Sequence, residues 1–276
     1  MVLIGIVLRL VGVVLILPAL PTGDAGAAVS ETAVELLRHP LKVTAAPGDN
    51  DTPGLLSLEV RVDNGVDSFR FTTSVRANSF ARAVETQRTL TRWREPFLLV
   101  GYDRGGKNYS RDQLDLVFAL RGGRLLYLGE VEANSFKGGG FRDTYDKFEE
   151  NGLTSRAGAP TFPLVLEEKG GRLRVNLDRT WREGQGRFRQ NRAELRDLLR
   201  RKVLLSGPTL IDFTEAVLFN AVLSKYCRRQ ADLQEALKAA AAGLDREDSK
   251  LFTDLVSDVI PGELPRAAVE VTSEKM

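Results

Sequence analysis

Glycine-centred reversals set between short apolar stretches constrain this chain more than any other feature. Leu56, Leu58, Val60 and Val62 share one face of a period-two stretch, with Ser57, Glu59 and Arg61 on the other. Asn64-Gly65 then offers the two positive-φ positions of a tight hairpin, and Phe69, Phe71, Thr73 and Val75 resume the alternation. A second pair, Leu114 to Leu120 and Leu125 to Val131, flanks Gly122-Gly123, and a third, Leu164 to Lys169 and Arg172 to Leu177, flanks Gly170-Gly171. With Phe97-Leu98-Leu99-Val100 as a further strand, residues from about 54 to 180 are expected to form an antiparallel sheet of about seven strands, one face packed and one partly solvated.

Short echoes run through that region. Val75-Arg76-Ala77-Asn78-Ser79-Phe80 is matched by Val131-Glu132-Ala133-Asn134-Ser135-Phe136, and Gly122-Gly123-Arg124-Leu125 by Gly170-Gly171-Arg172-Leu173. They raise a repeated unit of hairpin plus connection, against chance similarity in a chain of this length.

Beyond Gly184-Gln185-Gly186 the period changes to that of helices. Ala193, Leu195, Leu198, Leu199 and Val203 fit one amphipathic helix, which Ser206-Gly207-Pro208 breaks, and Thr209 is placed to cap the next. Apolar residues at helical spacing then continue from Leu210 to about Ala242, and a shorter helix runs from about Arg246 to Ile260 before Pro261. The chain therefore reads as α+β. An antiparallel β domain (54–186) built of hairpins is followed by a helical region (187–262) and a disordered tail (263–276), and a polar lead-in (28–53) precedes it.

The first 27 residues have the form of an export signal. Arg9 precedes an apolar run from Leu10 to Leu20, Pro18 and Pro21 break it, and Ala25-Gly26-Ala27 supplies the small residues of a cleavage site. The competing reading is a retained anchor using Val2 to Leu20, with Arg9 near its middle. The expectation is a periplasmic or secreted protein with no membrane insertion after cleavage.

Composition excludes much of the common catalytic repertoire. His39 is the only histidine, so serine and cysteine triads and the usual catalytic zinc sites lack their imidazoles. Cys227 is the only cysteine and has no disulfide partner within the chain; it is expected to be a buried thiol, with an intermolecular disulfide as the alternative. No phosphate loop or calcium loop is matched; Tyr102 to Tyr109 places glycine and lysine where calcium needs oxygen ligands. No cofactor or metal is implied. A formal net charge of +2 predicts no strong global attraction to polyanions.

Two charged clusters remain. Asp143, Asp146 and Glu150 would share a face if Asp143 to Glu150 were helical, an arrangement that would serve a carboxylate-dependent, glycosidase-like hydrolase. The plainer alternative is a short surface helix with Tyr145 and Phe148 packed inward. From Arg172 to Lys202, eleven Arg/Lys stand against four Asp/Glu. Arg182, Arg187 and Arg189, with Trp181 interleaved, could hold an anionic polymer by ion pairing and stacking. In an exported protein the partner would be an anionic envelope polymer or an acidic protein surface, not nucleic acid. The alternative is a solvated connection whose arginines pair with Asp178, Glu183, Glu194 and Asp197. A non-catalytic binding protein of the cell envelope is the leading expectation, ahead of the hydrolase.

Overall fold

The alternating stretches become strands of three antiparallel sheets, and the segment with helical periodicity becomes four helices. A computed structural model describes residues 30–36, 39–48, 55–76, 81–86, 97–103, 113–133, 140–148, 151–155, 158–201, 205–264 and 271–275. The export segment lies outside these residues.

The first sheet contains β1 (Ser30–Leu36), β2 (His39–Gly48), β3 (Leu55–Asp63), β4 (Asp67–Arg76) and β12 (Val271–Lys275), side by side in that order. The second runs in chain order through β5 (Ala81–Thr86), β6 (Phe97–Asp103), β7 (Gln113–Arg121) and β8 (Arg124–Glu132). In the third, β10 (Phe162–Glu168) is the centre, between β11 (Leu173–Val175) and β9 (Phe141–Tyr145).

Two cores meet on either side of the second sheet. Leu41, Val43, Val60, Val62 and Phe71 of the first sheet pack against Leu98, Leu114, Leu116 and Phe118. The opposite face of the second sheet, with Phe97, Val117, Ala119 and Val131, packs against Phe141, Leu164, Leu166 and the helices. The half-solvated sheet expected from sequence is therefore the first alone. The unbroken run Leu114 to Leu120 reflects a strand buried on both faces, where alternation is lost because either side is apolar. Opposite it, Val117 pairs with Gly129 and Phe118 with Tyr127, leaving Leu128 as the extra residue of a bulge. Gly129 takes φ +146, a backbone conformation that favours glycine, and lies against the Leu173 side chain of β11.

The hairpins form where the glycines place them, with one difference of mechanism. Gly122 and Gly123 both have positive φ, between the paired Arg121 and Arg124. Asn64 does not. Its side-chain oxygen instead accepts hydrogen bonds from the Val66 and Asp67 N–H groups at 3.0 and 2.6 Å, and only Gly65 is left-handed. The three tips are tied together. Asn64 Nδ2 donates to the Gly123 carbonyl at 2.9 Å, Arg124 Nε donates to Asp67 at 2.9 Å, and Arg121 Nη2 donates to Glu168 at 3.0 Å. Hydrogen bonds from Arg124 hold the Asp67 carboxyl below its ordinary range, and those from Arg121 do the same for Glu168.

Several segments depart from expectation. The lead-in contains β1 and β2: Leu41, Val43 and Ala45 are buried while Lys42 is exposed, an alternation carried by small residues and flanked by Pro40 and Pro47. His39 begins β2 and is exposed. Within the tail, β12 pairs with β4 from Val271↔Phe71 to Lys275↔Asp67; Thr272 and Ser273 are exposed, so backbone pairing holds it without a hydrophobic signature. The echoed segments straddle the passages from β4 to β5 and from β8 to β9, each a move from one sheet to the next. The segment after the first echo is the strand β5.

The first helix, α1 (Leu177–Arg201), starts ten residues before the expected 187 and passes through both glycines of the supposed junction. Asn176 caps it, accepting from the Arg179 N–H at 3.0 Å. Thr180 fastens it to the third sheet by accepting the buried Val165 N–H at 3.0 Å. Gly184 is buried against α2 (Pro208–Tyr226), where a Cβ would stand 2.7 Å from Leu223 Cδ2. Gly186 faces open space. Pro208, not Thr209, opens α2, in the first-turn position where its missing N–H is no loss. The long apolar stretch after Leu210 is two helices, because Arg228 adopts a left-handed φ of 59° and closes α2 before α3 (Gln230–Gly243) begins. The last helix, α4 (Arg246–Ser257), is capped by Asp245.

Gly186→Ala should raise stability by about 0.5–1 kcal/mol through helix propensity, whereas Gly184→Val should lower it by about 1–3 kcal/mol through overpacking on Leu223, both read by urea denaturation. The tip carboxylates give a signed pH dependence. Their folded pKa values are depressed, so their stabilisation is present above the unfolded carboxylate range and is lost as pH falls below about 4. Asp67→Asn with Glu168→Gln should flatten the loss of melting temperature between pH 6 and pH 3 relative to wild type.

Candidate functional site

The acidic cluster does not form the helix on which shared carboxylates depend. Asp143 lies in β9, paired with Leu164, and is 3% exposed. Asp146 follows the strand end, and Glu150 lies outside the described residues. Asp143 is on the strand and Asp146 just beyond its end, so the helical i, i+3 spacing that would have put both on one face is not formed. Tyr145 and Phe148 do pack inward. The Tyr145 ring stacks on Phe162 with centroids 4.7 Å apart and meets Tyr226 edge-on at 4.9 Å; Tyr226 donates to the Glu263 carbonyl at 2.7 Å. Burial pushes both phenols up, away from ionisation.

The basic stretch is a helix face, and its arginines separate into groups. Trp181 is buried at 8% exposure, its ring 4.9 Å from Phe188, with Arg229 over its other surroundings at 5.5 Å. It is core, not a stacking platform for a ligand. Arg187 is exposed and lays its guanidinium 4.3 Å over the Phe219 ring on the α2 flank. Arg182 and Arg189 stand two turns apart on the outer face, and Arg196 and Arg200 continue their row. Arg182 Nε donates to the Asp178 carbonyl at 3.3 Å.

The four acids expected to neutralise the stretch largely take other partners. Asp178 pairs with Arg229, Glu183 with Arg142, and Glu194 accepts from Gln190; Asp197 alone takes an arginine of the stretch, Arg201. The row Arg182, Gly186, Arg189, Ala193, Arg196, Arg200 follows the three-four spacing of one helix stripe and contains no carboxylate. At 1.5 Å per residue it is about 27 Å long. Its arginine spacing was visible in the sequence, but the helix that aligns it was hidden by the two glycines.

A cleft of about 210 Å³ opens beside this stripe, between α1 and α3. Phe188, Leu195, Leu199, Ala236 and Ala239 form its apolar walls, with Asn220 among the lining residues. At its rim Glu235 accepts from Arg192 Nε at 2.9 Å and from Arg196 Nε and Nη2 at 3.1 and 2.8 Å. Burial opposes the charge on Glu235, but the hydrogen bonds from both arginines outweigh it and hold the carboxyl below its ordinary range. Arg192 belongs to the recurring arginines of the sequence, but that Arg192 and Arg196 share Glu235 has no local signal, because the cleft joins helices 39 to 43 residues apart.

Among the described residues no group of three or more His, Cys, Asp or Glu is placed to hold a metal ion, and no helix is long and apolar enough to cross a membrane. Comparison with protein families, curated proteins and solved structures yields no match to this chain. Cys227 is 4% exposed, and burial pushes its thiol up to about 12. Its modification by a thiol reagent at pH 8 should therefore be slow in the native protein and accelerate to the free-thiol rate only across the urea unfolding transition.

Proposed function

We propose that this is an exported, non-catalytic binding protein that holds an anionic polymer of the cell envelope, or an acidic protein surface, along the outer face of α1. The observation that carries the reading is the row Arg182, Arg189 and Arg200 on that face, none of them ion-paired with a carboxylate among the described residues, with Arg196 between them held by Glu235. Here the neighbouring acids of α1 are taken up by Arg229, Arg142 and Arg201, and Glu235 pairs with Arg196, which leaves Arg182, Arg189 and Arg200 as the positive charges of the row, with Gly186 and Ala193 as low points between them. Arginine suits such a partner because its planar fork binds carboxylate or phosphate oxygens in pairs. The export half of the proposal rests on the N-terminal segment from Arg9 to Ala27.

The row differs from the group first selected by spacing. Arg182 and Arg189 belong to it, Arg187 points to the α2 flank, and Arg200 joins. Retention on immobilised dextran sulfate, a linear polyanion, separates the two assignments. The variant Arg182→Glu, Arg189→Glu, Arg200→Glu should bind about tenfold or more weakly than wild type, with a shallower salt dependence. Arg187→Glu should bind within about twofold of wild type. Equal retention of the triple variant and wild type would remove the assignment.

A further inference from the structure

The cleft between α1 and α3 has a chemistry of its own. Its walls are aliphatic and aromatic, its rim carries two guanidinium groups, and the group they share is a carboxylate of the protein itself. Each guanidinium presents five N–H donors. Glu235 takes four of the ten: Nε and Nη2 of Arg192, and Nε and Nη2 of Arg196. Asp232 approaches Arg192 no closer than 3.8 Å. Lys238 adds a further cation to the lining, so Arg192, Arg196 and Lys238 stand against Asp232 and Glu235. The rim thus has hydrogen-bonding capacity and positive charge in excess of what the internal carboxylates use.

Below the rim, Asn220 is 3% exposed and lies against Asn191. Their amide bonds are long: 3.4 Å from Asn191 Nδ2 to Asn220 Oδ1, 3.4 Å from Asn191 Nδ2 to the Ala216 carbonyl, and 3.4 Å from Asn220 Nδ2 to the Phe188 carbonyl. Bonds at that length leave a buried amide weakly satisfied. The cavity holds roughly seven water-sized volumes, the size of a short acyl chain and too small for a sugar polymer.

We propose that this cleft binds a short-chain organic carboxylate, its apolar chain between Leu195, Leu199 and Ala239 and its carboxylate on Arg192 and Arg196 in competition with Glu235. Glu235 acts as an internal stand-in for the ligand. It keeps the guanidinia aligned and yields N–H groups when an external carboxylate arrives. The inference shares Arg196 with the row of the polymer reading but is tested apart from it, since it depends on the trough, Arg192 and Glu235 and not on Arg182, Arg189 or Arg200.

The test is calorimetric titration of the full chain with octanoate, beside octyl glucoside (same chain, no charge) and acetate (same charge, no chain). Octanoate should bind wild type at about 0.1–1 mM, and the two controls at least about tenfold more weakly. Glu235→Gln removes the competing charge and should tighten octanoate about fivefold or more. Ala239→Leu fills the trough from an incompletely buried position, so it should abolish octanoate binding while leaving the melting temperature and dextran sulfate retention unchanged. The proposal is overturned if Glu235→Gln binds octanoate no more tightly than wild type, or if octyl glucoside matches octanoate. Undiminished binding by Ala239→Leu overturns it too, and so does the absence of octanoate binding in both wild type and Glu235→Gln. Should Glu235→Gln fail to fold, the contrast between wild type and Ala239→Leu decides.

Discussion

The second sheet gives both faces to the interior, so its backbone must be satisfied by its own ladder and its exposed ends must be closed by charge. β7 is the strand on which this bears hardest. Leu116 and Phe118 face one core, Val117 and Ala119 the other, and its neighbours β6 and β8 complete the hydrogen bonding on either edge. At the turn beyond Arg121 the apolar layers end, and there Arg121 and Arg124 reach in opposite directions, one to Glu168 of the third sheet and one to Asp67 of the first. Arg121 is 39% exposed and Arg124 60%, so each pair is worth little alone. Their consequence is positional: with the Asn64 amide on Gly123, they align the three hairpin tips and hence the three layers.

α1 is placed by the same arrangement. β10 pairs with β11 up to Val175, and the Asn176 N–H continues that pairing to the Val165 carbonyl at 2.7 Å before the chain turns into the helix. Thr180, one turn in, takes the Val165 N–H. The inner face of α1, with Trp181, Gly184, Phe188 and Leu195, is thereby set against α2 and the third sheet. The outer face is free of packing obligations. It can be basic without cost to the core, and Arg182, Arg189 and Arg200 stay uncompensated because the helix geometry turns Glu183 and Glu194 to a different flank and Glu235 is taken by Arg192 and Arg196.

How much of this was legible in the sequence depends on which force wrote it. The hairpins were legible because alternation and paired glycines are local, and β3 to β4, β7 to β8 and β10 to β11 pair as read. β2 was missed because its inward residues include Val43 and Ala45 between prolines, and β12 because a short, mostly polar segment is paired along β4 with no alternating apolar pattern. The start of α1 was missed because glycine normally opposes a helix. Gly184 is tolerated there because Leu223 occupies the space a side chain would need, a tertiary reason with no local trace. The same holds for the candidate sites. The abundance of arginine was plain, but which arginines share a stripe, which stack on Phe219 and which share Glu235 follows from helix phase and from contacts between distant segments.

The account turns on α1 being both a buried beam and an open basic surface, and a hydrogen-exchange footprint of the chain with saturating dextran sulfate tests this most directly. Slowed exchange in α1 from Arg182 to Arg200, with the outer strands of the first sheet unchanged, is the predicted result. Protection confined to the first sheet, with α1 exchanging as in the free protein, would contradict it.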